Sequence, residues 1–250
     1  MKKLENKVAL ITGGSSGIGK SIALRYVKEG AKVIIVGRNE NNLKEVLELD
    51  NNINYIIGDI TDYNTIKEIR NKLEREYNGR LDILVNNAGW CPVEPLIEMT
   101  IADYDKAFSL DVRAVVELTI NTLPLIIKTK GNIINLSTVG STHRAPNLSM
   151  YLGAKAAIDN FTRVWALELA EHGVRVNAIA PGAIDTNIWN VTDLAEVDAK
   201  KHRDNTASTI PFKRFGSPDE IANVALFLVL DEASYISGSI VAVDGGSGAI

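Results

Sequence analysis

Short runs of β-branched residues recur along this chain and are separated by segments of helix length. Each run is bounded by glycine or polar residues, which is typical of short buried strands. The intervening segments, such as residues 18–29 and 65–77, have apolar residues at helical spacing and end at glycine or asparagine. The predicted strands are residues 8–12, 32–36, 55–57, 81–85, 133–136, 174–179 and 240–243.

This order predicts an α/β fold, because parallel strands need a crossover between them and the crossovers here are helical. We expect a doubly wound parallel sheet with helices on both faces. Ligands of such sheets bind at the carboxyl ends of the strands, so the functional residues should lie there.

Composition limits the classes of partner. The 250 residues are 46% hydrophobic, which is enough to form the core of one large domain covering residues 1–250. Lys and Arg number 27 against 31 Asp and Glu, so no overall positive field attracts nucleic acid or an anionic membrane. We therefore expect a small-molecule substrate, with no nucleic-acid partner and no membrane partner.

The apolar run that follows the first lysines is too short for a signal peptide, and no stretch approaches the ~20 apolar residues of a membrane span. Cys91 is the only cysteine, and His143, His172 and His202 lack metal-ligand spacing. The sequence thus predicts a cytoplasmic protein without a metal site. Residues 187–210 are polar and without a strand pattern, so they form either a loosely ordered loop or, as we favour, a lid over the substrate.

A glycine-rich loop directly follows the first predicted strand and opens a helix. Its residues are candidates for cradling a dinucleotide pyrophosphate at the helix N-terminus, although a tight turn alone also requires glycine. The candidates are Gly13, Ser15, Ser16, Gly17, Ile18 and Gly19.

The end of the second predicted strand indicates which cofactor is used. An NAD enzyme places a carboxylate there for the ribose 2′-hydroxyl, whereas this chain has Gly37, followed by Arg38 and Asn39. The Arg38 guanidinium suits a 2′-phosphate, which favours NADP as the cofactor. The alternative is that Arg38 is an ordinary solvated surface residue. Ser16 occupies a position of the glycine loop that could have carried a second basic residue. Because it does not, use of both NAD and NADP stays open.

Three motifs recur in the order and spacing of a known family. They are residues 12–19, the run Asn86-Asn87-Ala88-Gly89, and Tyr151 with Lys155; Pro181-Gly182 after the sixth strand adds a fourth. With them the whole chain resembles the short-chain dehydrogenase/reductase family, including its carbonyl reductases and 3-oxoacyl-carrier-protein reductases. The resemblance implies a single Rossmann-type domain and a homotetramer with residues 240–250 near an interface.

The resemblance also implies roles at the cofactor. Asp59, beside Ile60, should hydrogen-bond the adenine, while Ile184 and Thr186 should hold the nicotinamide carboxamide. Each has a structural alternative: Asp59 as a turn cap, the asparagines as strand-end residues, and Thr186 as a helix cap. The further cofactor candidates are Asn87, Ala88, Gly89, Tyr151, Lys155, Pro181 and Gly182.

Tyr151 and Lys155 are four residues apart and project from one face of a helix. A free tyrosine titrates near 10, and acting near neutrality needs a shift of roughly 3 units, which a lysine and an oxidised nicotinamide can supply together. Tyr151 would protonate the carbonyl oxygen as hydride arrives, with oxidation as the reverse reaction. Lys155 would also hold the nicotinamide ribose.

Two further catalytic candidates depart from the family pattern. The family has a serine thirteen residues before the tyrosine, where this chain has Thr138, with Ser137 as the fallback hydroxyl. Asp111 replaces an asparagine that helps hold a water beside the lysine. Asp111 either lies near Lys155, where its charge would oppose acidification of Tyr151, or only pairs with Arg113 or solvent.

Two hypotheses follow for function. The leading one is an NADP-preferring carbonyl reductase or alcohol dehydrogenase, which transfers hydride between NADP(H) and a carbonyl or secondary alcohol. The alternative is a nucleotide-sensing or scaffold protein with the same fold and little turnover. The expected pocket is partly apolar, bordered by Trp90, Cys91, Pro92, Val139, His143 and Trp189.

Overall fold

The computed structural model describes residues 2–186 and 196–249, with only the backbone for residues 196–202. Within these residues the strands form one parallel sheet in the order β3-β2-β1-β4-β5-β6-β7. The strands are β1 (Val8–Thr12), β2 (Lys32–Gly37), β3 (Ile53–Ile57), β4 (Ile83–Asn86), β5 (Asn132–Leu136), β6 (Arg175–Pro181) and β7 (Ile240–Val243).

Helices connect the strands. The bounds are α1 (Gly17–Lys28), α2 (Glu40–Leu47), α3 (Tyr63–Glu76), α4 (Ile101–Phe108), α5 (Ala114–Thr129), α6 (Ser149–Glu168), α7 (Glu196–Thr209) and α8 (Pro218–Val229). One turn of π-helix, Ser109–Arg113, joins α4 to α5, and a 3₁₀ turn, Val139–Ser141, follows β5.

Alternation of side chains along each strand builds two apolar layers, one on each face of the sheet. In β1, Ala9 and Ile11 pack toward α1, α2 and α8. Val8 and Leu10 pack toward α3, α5 and α6. Both faces of the sheet are therefore covered by helices, as the sequence predicts.

The strand predictions are confirmed, with boundaries that differ by at most two residues. The sequence pattern misses the extension of β6 to Pro181, because proline usually interrupts a strand. Here Pro181 is the last residue of β6 and pairs with Val243 of the edge strand β7. Of residues 187–210, 187–195 lie outside the described residues, as does Trp189. Most of the remainder is α7, so this part is helical rather than a loose loop. Among the described residues, no helix is long and apolar enough to cross a membrane.

The order in which strands are added changes side at β1. The chain first adds β2 and β3 on one side of β1 and then crosses over to place β4 on the other side, so β1 and β4 are parallel neighbours. This switch point creates a crevice at the carboxyl ends of the central strands. The loops after β1, β4, β5 and β6 all open onto this edge of the sheet.

Candidate active site

The loop after β1 forms a cradle that only glycine allows. Gly13 and Gly17 have φ of +65° and +51°, values that favour glycine. A Cβ on Gly19 would lie 2.4 Å from the carbonyl oxygen of Gly13. Ser16 precedes α1 without a side-chain capping bond, and the first turn of α1 has no acidic residue. The backbone at this helix start is thus shaped for close approach of an anionic group such as a pyrophosphate.

The crevice is held together by Thr12 and Asn87. The Thr12 hydroxyl accepts hydrogen bonds from the backbone N–H groups of Asn87 and Ala88, both at 3.0 Å. The Asn87 amide donates to the carbonyl oxygens of Thr12 at 2.8 Å and Gly13 at 3.2 Å. These contacts join the ends of β1 and β4, and they place residues 87–89 beside the glycine loop. Thr12 is buried; the sequence places it at the start of the 12–19 motif but not among the cofactor candidates, since a threonine that ends a strand carries no pattern of its own.

At the ends of β2 and β3, Arg38 lies close to Asp59, with 3.8 Å between guanidinium nitrogen and carboxylate oxygen. The Arg38 side chain is 76% exposed, so it remains open to a ligand. Burial disfavours the Asp59 charge, but hydrogen bonds from Thr61, helped by Arg38, hold the pKa of Asp59 below its usual range. One oxygen of Asp59 therefore caps the turn by accepting from Thr61, as the structural alternative predicts. The other oxygen faces Arg38.

Asn39 and Ile60 have structural roles in the same region. The Asn39 side chain caps α2 by accepting from the N–H of Asn42 at 3.1 Å. Ile60 is buried in the apolar layer of α3 and α5. Ser15 lies beside Gly37, since its hydroxyl would be 3.2 Å from a Cβ added there. Ser15 is therefore placed next to the expected ribose position.

The loop after β6 meets the glycine loop from the other side. Pro181 ends β6, and Gly182 donates its N–H to Val243 at 3.0 Å. Ile184 is buried and forms a parallel bridge with Gly216. The methyl group of Thr186 would lie 3.2 Å from a Cβ on Gly17. The two loops thus bring Thr186 against the start of α1, where a dinucleotide would pass.

Tyr151 and Lys155 share one face of α6, and the Lys155 ammonium lies 5.7 Å from the centre of the Tyr151 ring. The π-helical turn brings Asp111 to within 2.9 Å of the Lys155 ammonium, measured to Oδ1. Both side chains of this ion pair are almost fully buried. The other Asp111 oxygen accepts from the backbone N–H of Trp90 at 3.1 Å. Arg113 pairs with Glu117 and not with Asp111. Asp111 therefore lies beside Lys155, which is the first of the two placements that the sequence left open.

The protein surroundings of Tyr151 raise the pKa of its phenol. Burial raises the pKa of Tyr151 to about 12; Lys155 opposes this increase, and Cys91 and Asp111 add to it. Burial disfavours the Lys155 charge, but Asp111 and Tyr151 outweigh burial and raise the Lys155 pKa. Burial outweighs the field of Lys155, and the charge of Asp111 offsets part of that field, so the protein alone does not acidify the phenol.

Thr138 lies between β5 and α6, on the side of Tyr151. The Thr138 side chain lies near the Tyr151 phenol and slightly lowers its pKa, so the two hydroxyls face the same part of the site. Thr138 Oγ1 accepts from the N–H of Gly140 at 3.3 Å and is 3.5 Å from the Pro181 carbonyl oxygen. The Ser137 hydroxyl is instead buried and has no hydrogen-bond partner among the described residues. Thr138 is therefore better placed than Ser137 for the catalytic hydroxyl.

Cys91 also reaches this cluster. It is partly buried, burial and Asp111 raise the pKa of its thiol to about 11, and Lys155 opposes this. A thiol with this pKa is protonated at neutral pH and acts as a small apolar neighbour. Its position after the Asn86–Gly89 run is the sequence signal that places it near the pocket.

Together these residues define a nicotinamide-dependent oxidoreductase: a glycine cradle at a switch point beside a tyrosine, a lysine and a second hydroxyl. A family model described as enoyl-(acyl carrier protein) reductase matches residues 13–248. The chain belongs to the short-chain dehydrogenase/reductase family. It is an NAD(P)-dependent enzyme that acts on CH–OH groups and their carbonyl counterparts.

Relatives and solved structures support this assignment. The 3-oxoacyl-[acyl-carrier-protein] reductase FabG of Thermotoga maritima is 39% identical, covering 98% of both chains. The FabG of Aquifex aeolicus is 37% identical over 98% of both chains. A Caenorhabditis elegans short-chain dehydrogenase/reductase of unknown function, solved with cofactor, is 33% identical with a TM-score of 0.92, covering 99% of this chain and 97% of that one.

Proposed function

We propose that this protein is an NADPH-preferring reductase of carbonyl compounds, with Tyr151 as the proton donor. The observation that carries the proposal is the convergence of the Tyr151 and Thr138 hydroxyls beside the Lys155–Asp111 ion pair, at the sheet edge where the glycine cradle opens. Two hydroxyl donors at one position suit a carbonyl oxygen, which has two lone pairs.

A bound nicotinamide would supply the hydride that becomes the new C–H bond of the alcohol. As the carbonyl π pair moves onto oxygen, Tyr151 donates its phenolic proton to that oxygen. Thr138 donates a hydrogen bond that orients the same oxygen, and it loses no proton. Lys155 stabilises the phenolate that remains, and Asp111 fixes the ammonium in place. The phenolate then regains a proton from solvent, so the site returns to its starting state.

Reduction is the direction that this site favours. A phenol with a pKa of about 12 is protonated at neutral pH and is ready to donate, whereas oxidation needs the phenolate first. Two relatives carry the name 3-oxoacyl reductase, so small 3-oxo esters and thioesters are the first substrates to test. The family description names an enoyl reductase; in that reaction charge develops on the conjugated thioester oxygen, so an enoyl thioester is the substrate to compare with the 3-oxo compounds.

The NADP preference is argued from Arg38. No carboxylate stands at Gly37, and the exposed guanidinium of Arg38 suits a 2′-phosphate. The cofactor roles of the glycine loop, residues 87–89 and the loop after β6 belong to the same proposal, since these segments line one crevice. NAD use at lower affinity is compatible with it.

The test follows NADPH absorbance with ethyl acetoacetate and acetoacetyl-CoA as substrates. Tyr151→Phe should lower kcat at least about 100-fold, because general acid catalysis contributes on the order of 10²–10⁴. Tyr63→Phe, at an exposed tyrosine of α3, is the matched control and should keep full activity. Equal activity of the Tyr151→Phe and unmodified proteins would refute the proposal.

We also propose a homotetramer. Apolar side chains are exposed on the outer faces of α5 and α6, among them Ile120, Val164 and Leu167. Strand β7 lies at an edge of the sheet, and edges of this kind are commonly covered. Light scattering should give four times the chain mass of 27.2 kDa. The cytoplasmic location stays a prediction.

A further inference from the structure

Asp159 is a buried carboxylic acid group that the proposed reaction does not use. It follows Tyr151 and Lys155 at four-residue intervals on α6, so the three side chains project from one side of the helix. Asp159 is 3% exposed, and its Oδ1 has no hydrogen-bond partner among the residues that the structure describes. Burying a carboxyl group with an unpaired oxygen costs free energy. Packing alone therefore does not explain an aspartate at this position.

Its contact is with the turn that carries the catalytic hydroxyl. The Ser141 hydroxyl lies 2.5 Å from Asp159 Oδ2 and 2.9 Å from the carbonyl oxygen of Thr138. The Ser141 N–H donates to the same Thr138 carbonyl at 3.1 Å. Through Ser141, the backbone of Thr138 is thus tied to the helix that bears Tyr151.

Thr138 needs such a tie because its hydroxyl makes long contacts with its own turn and with the end of β6. Its oxygen is 3.3 Å from the Gly140 nitrogen and 3.5 Å from the Pro181 carbonyl oxygen. Tyr151 and Thr138 belong to different elements, and a displacement of 1 Å between reacting groups can cost roughly 100-fold in rate.

We propose that Asp159 and Ser141 are positioning residues, which hold the Thr138 hydroxyl at the distance from Tyr151 that a shared carbonyl oxygen requires. Asp159 anchors the Ser141 hydroxyl to α6, and Ser141 fixes the backbone of Thr138. Neither residue touches the substrate. The inference rests on the proposed function, because its main readout is carbonyl reduction.

The test compares Asp159→Leu, Ser141→Ala and the double variant, with NADPH and ethyl acetoacetate as probes. Each single variant should lower kcat by about 10- to 100-fold, and the double variant should lose no more, because the two residues act as one unit. NADPH affinity, measured by fluorescence, should change less than about twofold because the glycine cradle is untouched. With C4-deuterated NADPH, the isotope effect on kcat should rise as the chemical step slows.

Two variants separate positioning from a structural role. Asp159→Asn should restore most of the rate, since its amide oxygen still accepts from Ser141. Asp159→Leu should keep or raise the melting temperature, because it removes an unpaired buried oxygen. Thr142→Ala is the matched control: this exposed hydroxyl bonds to the Val139 carbonyl in the same turn and should be dispensable.

Unchanged kcat in both Asp159→Leu and Ser141→Ala would overturn the inference. It would also be overturned if the fold-losses in kcat of the two single variants multiplied in the double variant, because the residues would then act independently. If Asp159→Leu does not fold, the comparison of Ser141→Ala with Thr142→Ala decides. Tyr151→Phe is assayed alongside. Activity in Tyr151→Phe refutes the proposed function itself, whereas an inactive Tyr151→Phe with fully active Asp159 and Ser141 variants refutes only the positioning role.

Discussion

Among single residues, Asp111 is the buried charge that pairs with Lys155 beside Tyr151. Its carboxylate lies 2.9 Å from the Lys155 ammonium and raises the Tyr151 pKa. Asp111→Asn should therefore lower the apparent pKa of alcohol oxidation by about one unit, because a charge some 6–8 Å away at an effective dielectric near 20 is worth roughly 2 kcal/mol before screening. The measurement is the pH–rate profile of oxidation with NADP⁺ and ethyl 3-hydroxybutyrate.

The sign of that shift is the critical result. The phenolate is the active form in oxidation, so the rate rises with pH until Tyr151 is ionised. Removing a negative charge moves this rise to lower pH. A shift to higher pH would contradict the electrostatic argument, and an unchanged profile with full activity would mean that Asp111 carries no charge in the working enzyme.

Thr138 is predicted to act through its hydroxyl and not through its methyl group. Thr138→Ser should keep most of the activity, while Thr138→Ala should lose on the order of 10²-fold in kcat, as for removal of an oriented donor. Steady-state rates with NADPH and ethyl acetoacetate give both values. Ser137→Ala is the control and should be close to neutral; a severe loss there with a neutral Thr138→Ala would assign the role to Ser137.

Residue patterns predicted the members of this cluster but not all of their contacts. Helical spacing put Tyr151 and Lys155 on one face of α6, and the structure has them there. Whether Asp111 meets Lys155 or Arg113 depends on the π-helical turn, which no local pattern encodes. Asp159 was missed because an acidic residue on a helix usually faces solvent, and its burial and its contact with Ser141 arise from tertiary packing.

At the scale of elements, helix α8 begins with a complete capping box. Ser217 accepts from the Glu220 N–H at 3.3 Å, and the Glu220 carboxylate accepts from the Ser217 N–H at 2.7 Å. Ser217→Ala should lower the free energy of unfolding by about 1 kcal/mol, or roughly 2–4 °C in melting temperature. Calorimetry measures the change, with Ser208→Ala inside α7 as the control that should be neutral.

The same capping box predicts a pH dependence. The Arg214 guanidinium, together with the Ser217 N–H, lowers the Glu220 pKa from 4.5 to about 2. A lowered pKa in the folded state stabilises the protein above the ordinary value, and this stabilisation is lost as the pH falls toward about 2. The difference in melting temperature between the unmodified protein and Glu220→Gln should shrink below about pH 4.5. A constant difference would show that the charge of Glu220 does not matter.

Most elements could be predicted because the buried parallel strands are continuous β-branched runs, which have few other interpretations. Boundaries were less certain where polar residues join the ladder, as Asn54 in β3 and Asn132 in β5 do. The segment around α4 and the π-helical turn carried no comparable signal, because its burial depends on packing against α6 rather than on a local period.

At the scale of the whole molecule, the cofactor crevice joins the two halves of the sheet. The switch point between β1 and β4 brings the glycine loop, residues 87–89 and the loop after β6 to one edge. The sequence alone could predict this convergence, because strand order and handedness determine which loops are neighbours. A ligand that contacts loops from both halves should stabilise the fold as a unit.

That coupling makes cofactor preference measurable without a substrate. A ligand at 100 times its dissociation constant adds about 2.7 kcal/mol to the folded state, which corresponds to roughly 5–10 °C for a chain of this size. NADPH should therefore raise the melting temperature more than NADH at equal concentration. Arg38→Ala should remove the difference because it removes the partner of the 2′-phosphate, whereas Lys32→Ala, at the opposite end of β2, should preserve it. A larger shift with NADH in the unmodified protein would exclude the NADP preference while leaving the proposed roles of Tyr151 and Lys155 untouched.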